Sequence, residues 1–298
     1  MADHDIAGRF APSPTGALHF GSLIAALGSF LNIRHHGGKW YVRIEDLDLP
    51  REQPGAGADI LRTLETFGLA WDGDVIRQSG RGARYEQALD RLVAGNLIYH
   101  CTCSRKDIQL AGKPGIEGQR YPGTCRTANH NGHDASIRLR THDEPLTVID
   151  IIHGPSVQRL ETEIGDFILK RRDGLYAYQL AVVVDDAEQG ITEVVRGCDL
   201  LNSTPRQVYL QQCLGLTTPA YIHLPLAVNR AGEKLSKQTG AAPIAGCDPV
   251  DVLLAALAFL GQRPPAELRE GSVSDVIGWA VSHWSLAAVP KQRTITSP

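Results

Sequence analysis

Residues 8–44 alternate between strand and helix patterns, and this alternation limits the possible folds more than any other part of the sequence. Gly8–Pro12 has the pattern of a buried strand that runs into a turn. From Gly21 to Arg34, apolar residues recur at helical spacing. Lys39–Ile44 again has a strand pattern. A strand, a helix and a second strand in this order predict a parallel sheet with crossover helices.

The rest of the chain continues with both kinds of element. Further helices are predicted at Asp59–Phe67, Arg84–Ala94, Pro249–Leu260 and Val273–Ser285. Further strands are predicted at Ala135–Arg140, Leu146–Ile152, Leu180–Asp185 and Ile191–Arg196. Ile98–Ala128 has little periodicity and contains Cys, Gly and Pro, so we expect a small insertion there. Lys291–Pro298 is predicted to be loose.

Composition places the chain among ordinary globular proteins. Its 298 residues exceed one average domain, with 43% hydrophobic and 21% charged residues. The longest apolar runs, such as Val250–Leu260, are too short to span a bilayer. Met1–Gly8 contains two Asp and no apolar stretch, which argues against a secretory signal. We therefore expect a cytoplasmic protein with no membrane partner.

The overall charge gives no support for nucleic-acid binding and does not exclude it. The formal net charge is −3, and no long block of Lys and Arg is present. The candidates for a local basic face are Lys170–Arg172, Arg138 and Arg140. The alternative for each of them is ordinary solvated surface charge.

The turn before the first helix has the features of a phosphate site. A helix that opens near Gly21 presents free backbone N–H groups and a positive dipole end to an anion. Gly21 would let a nucleotide approach the backbone closely, and His19 could donate a hydrogen bond to a phosphate oxygen. The alternative is that His19 caps or packs against its own helix.

A second candidate phosphate site is the loop Lys234-Leu235-Ser236-Lys237-Gln238. Two lysines three residues apart can neutralise the charge that builds on a triphosphate when pyrophosphate is displaced. Two ordinary surface lysines are the alternative. A His-x-Gly turn near the N-terminus followed much later by a Lys-x-Ser-Lys loop is, as a pair, the signature of class I aminoacyl-tRNA synthetases.

Longer segments carry a closer resemblance. Arg9–Gly16, Arg43–Asp48 and Arg196–Leu200 are similar to glutamyl-tRNA synthetases, and the likeness extends over Gly8–Thr239. This resemblance implies a Rossmann-like nucleotide-binding fold of the α/β class.

Three further features narrow the resemblance. Few residues follow the lysine loop, too few for an anticodon-binding domain, and Cys101-x-Cys103 lies in the predicted insertion. Together with the run Val183–Thr192, they resemble the glutamyl-Q tRNA(Asp) synthetase family. That family attaches glutamate to the queuosine base in the anticodon loop of tRNA(Asp).

The resemblance implies two groups of site residues. The glutamate site would comprise Arg9, Phe10, Ala11, Pro12, Ser13, Glu45, Tyr178 and Arg196. The ATP site would comprise His19, Gly21, Ser22, Lys234, Ser236 and Lys237. Within these groups, Arg9 would take a substrate carboxylate and Glu45 the substrate ammonium. A structural ion pair is the alternative for Arg9 and Glu45, and simple packing is the alternative for Tyr178.

Catalysis would rest on His19 and Lys237, with Mg²⁺ accompanying ATP as substrate. The sequence departs from the family signatures at two places. Ser22 stands where a second His is usual, so charge stabilisation must rely on His19, the helix N-terminus and Lys237. The lysine loop has Leu235 and Gln238 where Met and Ser are usual, but both lysines are present.

The insertion contains a candidate zinc site. Cys101, Cys103 and Cys125 could supply three thiolate ligands to one tetrahedral zinc ion per chain. The resemblance implies Tyr121 as the fourth ligand, and three histidines remain as rivals: His100, His130 and His133. A closed site of four ligands leaves no open position, so this zinc would be structural. Three unligated thiols are the alternative.

These interpretations combine into a predicted organisation and reaction. The segments are 1–97, first half of the catalytic domain; 98–128, zinc-binding insertion; 129–240, second half with the lysine loop; and 241–298, a C-terminal helical stem region. We expect the chain, as a monomer, to activate L-glutamate with ATP without needing tRNA and to transfer it to queuosine-containing tRNA(Asp). The tRNA would lie in a basic groove that includes Arg171 and Arg172, beside the insertion and the C-terminal helices.

Two other functions stay open at this stage. One is a truncated glutamyl-tRNA synthetase that charges the 3′ end of tRNA(Glu). The other is a non-catalytic tRNA-binding paralogue that keeps remnants of a nucleotide site.

Overall fold

A computed structural model describes residues 6–128, 130, 132, 134–235 and 242–297. For Leu49 it describes the backbone alone. The helices are α1 Phe20–His35, α2 Ala56–Thr66, α3 Gly82–Ala94, α4 Arg105–Ala111, α5 Leu160–Glu163, α6 Tyr178–Glu188, α7 Thr204–Leu214, α8 Pro249–Phe259 and α9 Val273–His283. The strands from the N-terminus to the middle of the chain are β1 Ala7–Phe10, β2 Lys39–Ile44, β3 Ile76–Arg77, β4 Ile98–Cys101, β5 Lys113–Gly115, β6 Gly118–Arg120 and β7 Ser136–Leu139. The remaining strands are β8 Pro145–Asp150, β9 Gly154–Arg159, β10 Ile168–Lys170, β11 Glu193–Gly197, β12 Ala220–Leu224, β13 Leu226–Val228 and β14 Thr294–Thr296.

Two largely parallel sheets meet at the centre of the molecule. One has the order β1-β2-β3, and the other has the order β11-β12-β8-β9, in which only β9 runs antiparallel. Strands β1 and β11 lie side by side, and the backbone N–H of Thr192 donates to the carbonyl of Ala7 at 2.9 Å. In such sheets, ligands bind outside the carboxyl ends of the strands where the strand order changes. The predicted α/β fold with a parallel sheet is confirmed.

Helix α1 is the main support of this arrangement. Its residues from Leu23 to Ile33 are almost all buried, because α1 packs against β1 and β11 on one side and against α8 and α9 on the other. The helix is therefore apolar around most of its circumference, as expected for a central helix. The chain leaves it through Gly37, whose φ of 70° suits a glycine.

The cysteine segment is tied into a small antiparallel sheet. Strand β4 pairs with β7, and β7 pairs with β10. A hairpin of β5 and β6 and the short helix α4 lie between β4 and β7 in sequence. The predicted insertion therefore shares its sheet with the chain that follows it.

The strand predicted at Leu180–Asp185 is wrong, because these residues belong to helix α6. Every residue from Leu180 to Asp186 is buried, and α6 packs between α3 and α7. A short, continuously apolar run with β-branched residues fits either a buried strand or a buried helix, and periodicity alone does not separate the two. Tertiary packing decided the outcome here.

The expectation of a loose C-terminus is also wrong for part of Lys291–Pro298. Strand β14 pairs in parallel with β13, with Ile295 opposite Ala227. Backbone hydrogen bonds with a distant strand hold this segment, and a short polar sequence gives no sign of such pairing. Pro298 lies outside the described residues.

The arginines predicted to form a basic face differ in exposure and in their contacts. Arg138 is buried, donates to the carbonyl of Asp166 and lies over the ring of Tyr121, so it is not part of a surface. Arg171 is partly exposed and forms an ion pair with Asp173. Arg172 contacts the carbonyl of Thr102. In the part of the chain that the structure describes, no helix is long and apolar enough to cross a membrane.

Candidate active site

A cavity of about 490 Å³ lies at the carboxyl ends of β1 and β11. It is lined by all the predicted glutamate and ATP residues that the structure describes: Arg9, Phe10, Ala11, Pro12, Ser13, His19, Gly21, Ser22, Glu45, Tyr178, Arg196 and Lys234. Ser236 and Lys237 lie outside the described residues. Residues that are far apart in sequence are therefore brought to one cavity, at the position where an α/β sheet binds its ligands.

The N-terminus of α1 forms one end of the cavity. His19 is the N-cap residue, and its Nδ1 accepts a hydrogen bond from the backbone N–H of Ser22 at 3.3 Å. A Cβ atom added to Gly21 would lie 3.2 Å from the His19 ring and 3.4 Å from the carbonyl of Leu235. The absence of a side chain at Gly21 thus lets the lysine-loop segment approach the helix N-terminus, with its positive dipole end.

Lys234 lies at the same end of the cavity. It forms an ion pair with Asp199, which also lines the cavity. Both side chains are partly exposed, so the pair is of a kind that contributes little to stability and can be exchanged for another partner.

Two buried arginines share one carboxylate at the other end. Arg9 donates to Asp186 through Nε at 3.0 Å and through Nη2 at 3.2 Å, and Arg43 lies 2.8 Å from the same carboxylate. Burial alone would raise the pKa of Asp186, but Arg9 and Arg43 hold it below its usual range. Asp186 therefore stays ionised and fixes both guanidinium groups.

Glu45 stands beside this network. Its Oε1 lies 3.4 Å from Nη2 of Arg43, and its backbone N–H donates to the carbonyl of Pro12 at 3.0 Å. Burial raises the pKa of Glu45, although Arg43 and Arg9 oppose the shift. A carboxylate held in this way can accept hydrogen bonds from an ammonium group.

Arg196 differs from the other two arginines because its described hydrogen-bond partners are all neutral. Nε donates to Nε2 of His223 at 3.0 Å and Nη2 donates to Thr204 Oγ1 at 2.8 Å. Nη1 faces the hydroxyl of Tyr178 at 3.5 Å. Arg196 is 5% exposed, so its charge is nearly buried without a protein carboxylate among the described residues. Such a charge is costly unless an anion joins it.

A side cavity of about 350 Å³ opens next to Glu45. It shares Ser13, Glu45 and Tyr178 with the main cavity, and Arg51 and Arg171 form part of its wall. This volume lies within the range of small-molecule sites.

Arg171 also borders a shallow cavity of about 420 Å³ that reaches the cysteine segment. Its other lining residues include Arg172, Cys103 and Arg105. Adjacent cavities that share lining residues therefore extend from the main cavity towards the insertion, with arginines and also Asp48, Asp134 and Asp173 in their walls.

The three predicted cysteine ligands converge. The Sγ atoms of Cys101, Cys103 and Cys125 all lie within 4.8 Å of one another. The hydroxyl of Tyr121 lies 3.3 Å from Sγ of Cys101 and accepts from the backbone N–H of Cys125 at 2.9 Å. Three sulfurs and one oxygen at this spacing match the size of a four-ligand metal site.

The thiols of Cys103 and Cys125 have pKa values shifted in opposite directions. Burial would raise the pKa of Cys125, but hydrogen bonds from Thr102, Cys103, Tyr121 and His130 lower it to about 6. Burial raises the pKa of Cys103 to about 11. Tyr121 and His130 both approach the cluster, and His133 lies outside the described residues.

Comparisons with known proteins bear on this site. Residues 5–257 match the family described as tRNA synthetases class I (E and Q), catalytic domain. The glutamyl-Q tRNA(Asp) synthetase of Ectopseudomonas mendocina (strain ymp) is 52% identical over 288 residues, 97% of this chain and 96% of the relative. That of Dechloromonas aromatica (strain RCB) is 54% identical over 294 residues, 98% of each chain. The chain belongs to the glutamyl-Q tRNA(Asp) synthetase family.

The fold of this class I synthetase agrees with solved structures. A crystal structure of glutamate-tRNA synthetase from Elizabethkingia anophelis superposes with a TM-score of 0.80 at 25% identity. The match covers 98% of this chain and 68% of that chain. The predicted class I synthetase-like α/β fold is therefore confirmed.

Several residues that surround the candidate site were not predicted from the sequence. Arg43 and Asp186 hold the network together, and Asp150 and His223 lie behind Arg196. A charged residue in or beside an apolar run, such as Arg43 in a buried strand or the pair Asp185 and Asp186 after three valines, is the signal that could have indicated a buried ion pair. His223, which stands between Ile222 and Leu224 in an apolar run, carries a similar signal.

Proposed function

We propose that this protein activates L-glutamate with ATP to glutamyl-adenylate, without needing tRNA, and transfers the glutamate to the queuosine base in the anticodon loop of tRNA(Asp). The observation that carries the proposal is a single cavity that joins two complementary ends. One end is the N-terminus of α1, which suits phosphate, and the other holds the guanidinium of Arg196, whose partners among the described residues are neutral. The names of relatives that are 52% and 54% identical support the choice of substrates.

The amino-acid end can hold both ends of glutamate. Arg196, whose partners are neutral, would take one carboxylate as its counter-ion. Glu45 would accept hydrogen bonds from the ammonium group, and Tyr178 would close the pocket beside Arg196. Arg9 would add a second positive charge, although it already shares Asp186 with Arg43. Phe10, Ala11, Pro12 and Ser13 would form the backbone wall.

The other end would bind ATP and promote the first step. In that step a carboxylate oxygen of glutamate attacks the α-phosphorus, and the bond to the leaving pyrophosphate breaks. His19, the positive dipole end of α1 at Gly21, and Lys234 would offset the charge that develops. Ser236 and Lys237 would complete this group. Mg²⁺ bound with ATP would supply further charge neutralisation.

The side cavity next to Glu45 offers a route for the acceptor. A hydroxyl of the queuosine cyclopentenediol would attack the activated carbonyl, and AMP would leave. The cavity of about 350 Å³ opens on the amino-acid end and is flanked by Arg51 and Arg171. Exposed arginines that pair with nearby acids, as Arg51 does with Asp48 and Arg171 with Asp173, can exchange them for RNA phosphates. The path past Arg172 towards the insertion supports a tRNA groove there.

The cysteine cluster would hold one structural zinc ion. Cys101, Cys103 and Cys125 offer sulfur donors at a suitable spacing, and the lowered pKa of Cys125 favours a thiolate. Tyr121 or His130 would supply the fourth ligand. The ion would tie β4 to the loop that contains Cys125 and would take no part in the reaction.

The domain organisation belongs to the same proposal. The catalytic halves would be residues 1–97 and 129–240, with the zinc-binding insertion at 98–128 between them. Helices α8 and α9, within 241–298, would form a stem region for the tRNA. They pack on each other and on α1, which supports a role in holding the active-site helix. We expect the chain to act as a monomer.

Amino-acid-dependent exchange of labelled pyrophosphate into ATP tests the activation step. We expect exchange with L-glutamate alone, and far less with L-glutamine or L-aspartate, in the absence of tRNA. A requirement for tRNA would contradict tRNA-independent activation. No exchange under either condition would favour a non-catalytic tRNA-binding protein.

A further inference from the structure

Three neighbouring parallel strands place a row of buried polar side chains behind the cavity. Asp150 ends β8, His223 lies on β12 and Arg196 lies on β11. They are 3%, 0% and 5% exposed. Only Arg196 lines the cavity, so Asp150 and His223 would touch no substrate.

The hydrogen bonds in this row leave one arrangement of protons. Nε of Arg196 carries a proton and always donates, so Nε2 of His223, at 3.0 Å, must accept. Nδ1 of His223 then carries the ring proton and donates to Oδ2 of Asp150 at 2.7 Å. Asp150 is held in turn, because its Oδ1 accepts from the backbone N–H groups of Ile152 at 3.0 Å and His153 at 2.8 Å.

The environment keeps His223 neutral. Burial lowers its pKa to about 4, and the charge of Arg196 acts in the same direction, while the hydrogen bond to Asp150 opposes the shift. A neutral imidazole can hold the guanidinium without neutralising it. Arg196 therefore keeps its positive charge for a ligand in the cavity.

We propose that Asp150 and His223 are positioning residues that hold the Arg196 guanidinium towards the cavity and thereby set the affinity for the substrate carboxylate. This proposal rests on the proposed binding of glutamate. With Nε held by His223 and Nη2 held by Thr204, the guanidinium cannot rotate, and its Nη1 edge lies beside Tyr178 at the cavity wall. Orientation fixed by residues behind the binding group is a common requirement of precise binding sites.

Asp150→Asn tests the proton arrangement directly. Oδ1 of Asp150 accepts two backbone N–H groups, so the amide oxygen of Asn should take that place and its NH₂ should face His223. His223 would then have to accept at Nδ1 and carry its proton on Nε2, where it meets the N–H of Arg196. We expect this conflict between donors to raise the KM for glutamate about tenfold or more, with the KM for ATP nearly unchanged.

Two isosteric variants of His223 separate positioning from packing. His223→Gln places an acceptor near the position of Nε2 and can still receive the bond from Arg196. His223→Asn keeps a polar group near Nδ1 and Asp150 but cannot reach Arg196. We expect the glutamate KM of His223→Gln to stay closer to that of the unaltered protein than that of His223→Asn.

Ser29→Ala is the matched control. Ser29 is buried on α1, its Oγ accepts a hydrogen bond from Nε1 of Trp40 at 3.0 Å, and it does not line the cavity. Its loss should lower thermal stability without changing the glutamate KM. Glutamate-dependent pyrophosphate exchange measures the KM for glutamate and the KM for ATP. Histidine ¹⁵N chemical shifts of the unaltered protein report the tautomer of His223.

The outcomes separate this proposal from the proposed function. If Asp150→Asn and His223→Asn leave the glutamate KM within about twofold, or if His223 carries its proton on Nε2, the positioning proposal is wrong while glutamate activation stands. Equal losses for glutamate and ATP would indicate a purely structural role and would also contradict it. No glutamate-dependent exchange by the unaltered protein would instead overturn the proposed function.

Discussion

Three guanidinium groups lie near the proposed amino-acid site, and they differ in what neutralises them. Arg9 and Arg43 share the carboxylate of Asp186, whereas Arg196 has only neutral described partners. Burying a charge without a counter-ion costs several kcal/mol in general, so such a residue is a natural binding group for an anion. The sequence alone could not rank Arg9 against Arg196, because the carboxylate that neutralises Arg9 belongs to Asp186, 177 positions further along the chain.

Glu45 leads to a prediction about pH. Burial raises its pKa, so Glu45 takes up a proton at a higher pH than an exposed glutamate does. Only the ionised form can accept the substrate ammonium. We therefore expect kcat/KM for glutamate to fall as the pH drops through this raised pKa. The pH profile of glutamate-dependent pyrophosphate exchange measures this value for the free enzyme.

The variant Glu45→Gln is the control for this assignment. It should lower kcat/KM at neutral pH and abolish the acid limb, because no proton is then taken up at this position. Titration of Asp186 does not produce this acid limb, since Arg9 and Arg43 hold its pKa below the usual range. An acid limb that persists unchanged in Glu45→Gln would assign the titration to another group.

At the scale of elements, Asp186 joins helix α6 to strands β1 and β2. Its carboxylate binds Arg9 of β1 and Arg43 of β2, and its side chain is 8% exposed. Asp186→Asn would leave two buried guanidinium groups poorly compensated. We expect the free energy of unfolding to fall by about 3 to 5 kcal/mol.

Asp59→Asn is the matched control for this substitution. Asp59 pairs with Arg62 on α2, and its side chain is 52% exposed. Removing an exposed pair should cost less than about 1 kcal/mol. Urea denaturation of both variants measures the difference, and equal losses would show that the Asp186 network does not stabilise the fold.

The cysteine cluster allows a prediction about metal. We expect about one zinc ion per chain, measured by elemental analysis, as for a closed structural site. Cys125→Ser should lose most of the zinc and lower the melting temperature, whereas Cys247→Ser, at an exposed position away from the cluster, should change neither. Full zinc content in Cys125→Ser would contradict the proposed ligand set. Comparison of Tyr121→Phe with His130→Ala identifies the fourth ligand.

Elements with clear periodicity were predictable, and those fixed by packing were not. Helix α1 was predicted over Gly21–Arg34 and is observed over Phe20–His35. The agreement is close because its apolar residues recur at helical spacing and glycines follow the helix. Helix α6 was mistaken for a strand because its buried valines remove the polar face that marks a helix. Strand β14 depends on backbone pairing with β13, which leaves no trace in its own side chains.

For the molecule as a whole, the candidate site was predictable to the extent that local motifs carry it. The motifs around Arg9, His19 and Arg196 lie on one cavity because parallel strands end at the same edge of a sheet. The sequence marks Asp186 and His223 as polar residues in or beside apolar runs, but their partners follow only from the three-dimensional arrangement. Their positions depend on how separate strands pack with helix α6, part of which was wrongly predicted as a strand.

The most direct test of the whole account is the transfer of labelled glutamate, with ATP, into acid-insoluble tRNA. The tRNA is prepared from cells with and without queuosine, and both samples are assayed under the same conditions. If the proposed function is correct, label appears only in the queuosine-containing tRNA. Equal label in both samples would contradict it and would favour charging of a tRNA 3′ end, and no label in either would contradict the transfer step.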